Sequence, residues 1–184
     1  VNELIIASTS SIYGDSGENL MIEDKDEKIN PPSVYATTKL AGESLSKNIL
    51  ENSNTNLIIA RFFTVYGPFG RPDMALFKFV KAMKNNKPID IYNNGNMKRD
   101  FTYIDDVVEA IIRCCSKPAT VSELFDYKNQ DPSISSAPFR IFNVGNSEPV
   151  KLLRFIEILE SVLGVKAIRN KMPMHCCHLP NNSI

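Results

Sequence analysis

Glycine, cysteine and histidine are scarce in this 184-residue sequence, at eight, four and two residues, and tryptophan is missing. The glycines do not form the phosphate-cradling loop that dinucleotide binding requires at a helix amino end. Gly14 and Gly17 have the first spacing of a GxxGxxG fingerprint, but Leu20 stands at the third position; Gly67 and Gly70 fail likewise at Asp73. The cysteines fall as two adjacent pairs, Cys114–Cys115 and Cys176–Cys177. So few in a chain this long make no disulfide framework and point to a reducing, cytoplasmic setting. His175 and His178 flank the second pair, yet adjacent ligands cannot easily surround one tetrahedral ion, so no metal site is expected.

Neither sign of charge is in excess: Lys+Arg and Asp+Glu are 21 each. That balance removes the footprint of a general nucleic-acid or anionic-membrane binder, while leaving room for a small cationic pocket. No apolar run approaches the roughly 20 residues that span a bilayer, and no signal peptide is visible. Hydrophobic residues at 43% and charged residues at 23% are ordinary for a globular protein. Because the chain opens at Val1 inside an apolar run, it is expected to be a fragment, with a glycine loop lying upstream.

What is present alternates between strand and helix. Leu4–Ala7 is a continuous apolar run ending in hydroxyls at Ser8–Ser11, as a fully buried parallel strand reads. Residues 15–32 are polar and hold Pro31-Pro32, which predicts a loop. Ser33 is a plausible cap for a helix to about Glu51, with Leu40, Leu45 and Ile49 as its apolar stripe. A second buried strand follows at Leu57–Ala60, running on through Arg61-Phe62-Phe63. Met74–Met83 predicts an amphipathic helix, Ile89–Tyr92 a short strand, and Asn93–Asn96 a turn. Val107–Cys115 predicts another helix, with Asp105 and Asp106 near its positive end. Residues 117–137 read as a surface loop and Arg140–Val144 as a third buried strand. Val150–Leu163 predicts a helix that Gly164 ends. The pattern is an α/β fold with a parallel sheet.

Tyr35-Ala-Thr-Thr-Lys39 carries the strongest local chemistry. Residues four apart share a helix face, so the phenol and the ammonium lie side by side. A free tyrosine, with a pKa of about 10, is a poor base at neutral pH, and a fixed neighbouring cation favours its phenolate. Such a pair can take a hydroxyl proton. Read alone, YxxxK is common and an exposed Tyr and Lys are its ordinary outcome. Thr9 changes the odds, because it ends a strand where α/β proteins place ligands and adds a second hydroxyl.

Strand-end hydroxyl, loop and YxxxK helix together resemble the extended short-chain dehydrogenase/reductase superfamily, the NAD-dependent epimerases and dehydratases. Ile6-Ala-Ser-Thr-Ser-Ser-Ile-Tyr-Gly14 is similar to its SSxxVYG strand end, and Ala60-Arg-Phe-Phe-Thr-Val-Tyr-Gly-Pro68 to its RxxNVYGP segment, with Thr64 for the more frequent Asn. Phe69–Phe77 and Lys98–Asp106 look like UDP-glucuronate 4-epimerase. Arg140–Asn146 fits the last sheet strand, with Ile141 where a tyrosine is more frequent. The likeness runs from about residue 3 to Met174.

The resemblance implies NAD as cofactor and Tyr35 as catalytic base, with Lys39 holding the nicotinamide ribose and Thr9 assisting. It implies substrate contacts at Thr9, Ser10, Thr64, Arg71 and Arg99: Thr64 and Arg71 for a uronate carboxylate, Arg99 for the diphosphate of a UDP-sugar. A guanidinium suits both anions, since its planar fork matches their oxygens. Asp105 and Asp106 are expected to serve the helix terminus instead. The 4,6-dehydratases of the superfamily carry Asp-Glu where this chain has Ser10-Ser11, which disfavours dehydration.

The expected reaction interconverts UDP-glucuronate and UDP-galacturonate through a 4-keto sugar, in a full-length form that is a homodimer. UDP-glucose 4-epimerase, UDP-glucuronate decarboxylase and a non-catalytic nucleotide-sugar-binding remnant stand as alternatives. The expected division gives residues 1–67 and 100–146 to the remainder of an NAD-binding domain, the C-terminal part of a Rossmann-type parallel sheet. Residues 68–99 and 147–184 go to a partial substrate-binding domain. After Met174 the sequence leaves the family pattern, and the fragment alone is expected to be inactive.

Overall fold

Strand–helix alternation builds the α/β fold that the sequence pattern predicts. The computed structural model describes residues 1–15, 21–23, 29–126, 128, 131 and 133–174. Its elements are β1 (Glu3–Thr9), α1 (Val34–Leu50), β2 (Asn56–Phe62), β3 (Thr64–Tyr66), α2 (Ala75–Lys84) and β4 (Ile89–Ile91). They continue with β5 (Lys98–Tyr103), α3 (Ile104–Ser116), β6 (Phe139–Val144), β7 (Pro149–Lys151), α4 (Leu152–Leu163) and β8 (Arg169–Lys171).

The main sheet runs β1-β2-β6, all parallel. β2 lies in the middle and is buried along Leu57–Arg61, as a continuous apolar run should be. The two flanking strands depart from expectation. β1 leaves Leu4 and Ala7 exposed, and β6 alternates, with Arg140 and Phe142 on the solvent side. Each pairs with β2 alone among the described residues, so neither is covered as completely as the central strand. Leu57, Ile59, Phe139 and Ile141 form the core of this sheet, with Ile6 and Leu50 packed against them.

Helix α1 begins where its cap places it: the Ser33 hydroxyl accepts from the Ala36 N–H at 3.2 Å. Its buried face is not the expected stripe. Leu45 and Ile49 point to solvent, while Ala36 and Glu43 are buried and Leu40 and Leu50 pack inward. Those four recur at helical spacing, and the small Ala36 lets the helix sit close to the sheet.

Downstream, β3-β5-β7 form a second sheet and β4-β8 a third. Strands β3, β5, β7 and β8 carry no clear period-2 pattern in the sequence; β8 is wholly exposed, and Pro149–Lys151 is strand rather than helix. Helices α2 and α4 pack Phe79, Met83, Ile156 and Leu159 over Ile89 and Ile91. Gly67 is required where it stands. Its φ is +144°, and an added Cβ would collide with the Ile104 side chain, so only glycine lets the loop after β3 press on the start of α3. Gly164 ends α4 in the left-handed region, as predicted. Among the described residues no helix is long and apolar enough to cross a membrane, and no cluster could hold a metal. The His175–His178 stretch lies outside the described residues.

Candidate active site

β1 delivers Thr9 to the carboxy end of the parallel sheet, the rim where such folds bind ligands. The Thr9 hydroxyl is buried; it accepts from the Ser11 N–H and donates to Ser11 Oγ, both at 3.2 Å. Ser10 is buried beside it in a short 3-10 turn, Ser10–Tyr13. Helix α1 presents Tyr35 in its first turn, 56% exposed. One turn on, Lys39 Nζ donates to the Ala7 carbonyl at 2.9 Å, tying the helix to the strand that ends in Thr9. No hydrogen bond among the described residues joins Thr9, Tyr35 and Lys39 directly.

A cavity of about 700 Å³ opens between α2, β4, β5 and α4. Thr64, Asp73, Lys78 and Arg99 are on its wall, with Phe79, Phe101 and Phe155 among its apolar lining. Phe101 and Phe155 stack with centroids 4.8 Å apart and planes 12° from parallel. Arg99 Nη1 donates to the Lys98 carbonyl at 2.9 Å, and no carboxylate pairs with the guanidinium among the described residues. Burial pushes Arg99 down to about 10. A partly desolvated cation facing a cavity is arranged to receive an anion.

Arg71 sits differently. It is exposed, and its fork closes on Asp73, Nε to Oδ1 at 3.0 Å and Nη2 to Oδ2 at 2.5 Å. The Asp73 bond raises the Arg71 pKa, and Tyr35 adds a smaller contribution in the same direction. Arg71 in turn holds the Asp73 carboxyl below its ordinary value. The structure thus brings Thr64 and Arg99 into one cavity and Lys39 onto the Thr9 strand, and it gives Arg71 to a carboxylate of its own chain. Asp105 and Asp106 lie exposed in the first turn of α3, at its positive end.

A largely buried polar row, most of it inside the quoted motifs, receives no role from the motif reading. Ser8, Arg61 and Asn143 stand in register across β1, β2 and β6. Glu43 of α1 caps the row, forking onto Arg61 with its closest contact at 2.7 Å and accepting from the Ser8 hydroxyl. Arg61 Nη1 also donates to the Tyr13 hydroxyl at 2.8 Å, which donates to Asn143 Oδ1 at 2.8 Å. Burial raises the Tyr13 pKa and keeps the hydroxyl a donor, outweighing the opposing pull of Arg61. A sequence signal existed: Arg61 is the charged residue inside an otherwise apolar strand, Leu57–Phe63.

Residues 1–145 match the model of the NAD dependent epimerase/dehydratase family. Protein CapI of Staphylococcus aureus is 44% identical over 180 residues, covering 98% of this chain and 54% of that protein. A probable UDP-glucuronate 4-epimerase of Rhizobium meliloti is 44% identical over 178 residues, 96% of this chain and 52% of that one. The crystal structure of UDP-glucuronic acid 4-epimerase from Bacillus cereus, in complex with UDP-glucuronic acid and NAD, superposes with a TM-score of 0.80. It is 33% identical and covers 99% of this chain and 52% of that one. The chain spans about half the length of these relatives. With the family model matching most of its length and its parallel sheet, strand-end threonine and YxxxK helix in place, the chain belongs to the NAD dependent epimerase/dehydratase family.

Proposed function

We propose that this chain carries the base and the sugar-nucleotide contacts of an NAD-dependent epimerase acting on UDP-glucuronate at carbon 4. Arg99 is the observation that carries the reading: a half-buried guanidinium without a carboxylate partner among the described residues, facing a cavity large enough for a nucleotide. A diphosphate would supply the missing anion in the fork geometry a guanidinium favours. Relatives named for UDP-glucuronate and solved with it support the same substrate.

In this reading Tyr35 takes the proton of the sugar hydroxyl at carbon 4 and returns it to the epimeric alcohol. Thr9 hydrogen-bonds the same oxygen from the strand end, and Ser10 stands beside it. Lys39, one turn further along the same helix, would with Tyr35 hold the nicotinamide ribose. NAD, when bound, supplies reversible hydride transfer at carbon 4. The described residues fit only that end of the cofactor: among them the α-helix caps are Ser33, Met74, Tyr103 and Lys151, none of them a glycine that could cradle pyrophosphate. Thr64 and Arg71 would face the uronate carboxylate. Residues 1–67 and 100–146 would form the NAD-binding side, and 68–99 with 147–184 the substrate side. A homodimer through α1 belongs to the same proposal, its apolar contact being Leu45 and Ile49, 60% and 73% exposed.

The deciding experiment gives a full-length form UDP-glucuronate and NAD and identifies the products by NMR. UDP-galacturonate at equilibrium with the substrate is the expected result. A UDP-pentose with carbon dioxide would identify a decarboxylase, and unchanged substrate would remove the catalytic reading.

A further inference from the structure

The buried polar row has no part in the chemistry just described, yet Ser8, Tyr13, Glu43 and Arg61 each lie close along the chain to a candidate site residue. Ser8 precedes Thr9 on β1, and Tyr13 closes the 3-10 turn that Ser10 opens. Glu43 lies one turn beyond Lys39 and two beyond Tyr35, on the same face of α1. Arg61 lies on β2 just before Thr64 of β3. One guanidinium, with Glu43 and Tyr13 as its partners, therefore links every segment that carries the strand-end threonine, the base and its lysine.

Stability does not account for such a device. Desolvating Glu43 and Arg61 offsets much of their mutual attraction, and apolar pairs of similar volume are often as stable in such places. Apolar packing is also non-directional, so it leaves a helix free to slide or roll on a sheet by fractions of an ångström. A bidentate fork does not, because its hydrogen bonds demand both distance and plane. Lys39 adds a third fixed point at the Ala7 carbonyl. Moving α1 relative to the β1–β2 sheet would break the Glu43–Arg61 fork and the bonds of Ser8 and Ala7 to α1 together, and that movement is the one that would separate Tyr35 from Thr9.

We propose that Glu43 and Arg61 are positioning residues, whose buried fork, extended through Ser8 and Tyr13, fixes Tyr35 and Lys39 over the Thr9 strand end for proton transfer. The proposal rests on the reading of Tyr35 as the base. It gives no substrate contact to either residue: each acts through the helix or strand that carries it.

The test replaces the fork with apolar groups of similar length, Glu43→Leu with Arg61→Met, in a full-length form. Folding is read by the melting midpoint, and kcat and KM are measured with UDP-glucuronate, beside Tyr35→Phe. The double variant should keep its midpoint and KM, while kcat falls about a hundredfold, the scale of a reacting group displaced by an ångström. A folded double variant with wild-type kcat would overturn the proposal, while an inactive Tyr35→Phe beside it leaves the base assignment standing. If the double variant does not fold, Tyr13→Phe decides, since it removes only the hydroxyl between Arg61 and Asn143. It should lower kcat at constant KM, and an unchanged kcat would overturn the proposal. Wild-type turnover in Tyr35→Phe would instead remove the base reading, and the positioning role with it.

Discussion

Lys39 donates its ammonium to the Ala7 carbonyl at 2.9 Å, and Ala7 lies two positions before Thr9 on the same strand. The lysine thus has a structural bond to β1 while its other two donors can turn toward the phenol or a ribose. A lysine that only solvated the helix face would have no reason to reach the sheet. The bond also explains why Tyr35 can be exposed and still be placed: its helix is fastened one turn away.

Tyr35→Phe is accordingly expected to leave the fold intact, since the phenol is more than half exposed. Turnover in a full-length form should fall about a hundredfold or more, the scale of lost acid–base catalysis. Circular dichroism and steady-state rates check the two halves of the statement. Near-normal turnover would end the assignment of Tyr35 as the base.

Arg71 is predicted to discriminate between acidic and neutral sugars. Its fork already closes on Asp73, an internal carboxylate that a uronate would have to replace. Arg71→Ala should weaken UDP-glucuronate by roughly tenfold, a modest loss because solvent screens an exposed pair, and leave UDP-glucose unchanged. Competitive titration of both nucleotides measures the ratio. Equal losses would mean that Arg71 contacts something the two share.

Local signals made part of this molecule legible. Ser33 caps α1 through its own hydroxyl, the apolar run Leu57–Ala60 is the central strand, and Gly164 adopts the left-handed turn that ends α4. What failed depends on distant partners. Lys98–Tyr103 opens on three charged residues, and it becomes β5 because Pro149–Lys151 pairs with its first half and Thr64–Tyr66 with its second. Leu45 and Ile49 looked like core because helical periodicity does not say which face meets the sheet. Arg71 and Arg99 are alike in the sequence. The fold makes one an exposed partner of Asp73 and the other a half-buried cation on a cavity.

Acid stability should carry the mark of Glu160. A hydrogen bond from Lys166, then the Ala167 N–H and Arg169, hold its carboxyl down to about 2 against the opposing effect of burial. A depressed carboxylate stabilises the fold above its ordinary value of 4.5, and the contribution is lost as pH falls through about 2. Glu160→Gln should therefore flatten the melting midpoint across that window and change its slope little above it. An identical acid limb in wild type and variant would show that the cluster does not act at α4.

Arg99 should oppose stability to binding. Its folded-state pKa, about 10, lies below the ordinary guanidinium value, so the folded chain holds this proton less tightly than the unfolded one. Below pH 10 both states are charged, and burial of the cation then works against folding. The opposition eases only as pH rises above about 10. Arg99→Met keeps the length and apolar stem of the side chain while removing the desolvated charge. The variant should melt higher than wild type at neutral pH, the pattern expected where a binding site carries strain on behalf of function. UDP affinity should move the other way and fall about tenfold or more, because a charge-assisted hydrogen bond to the diphosphate is gone. Calorimetric titration with UDP and thermal melts of the same preparations read both quantities. A variant that melts lower yet binds UDP normally would make Arg99 a packing residue and leave the cavity without its anion contact.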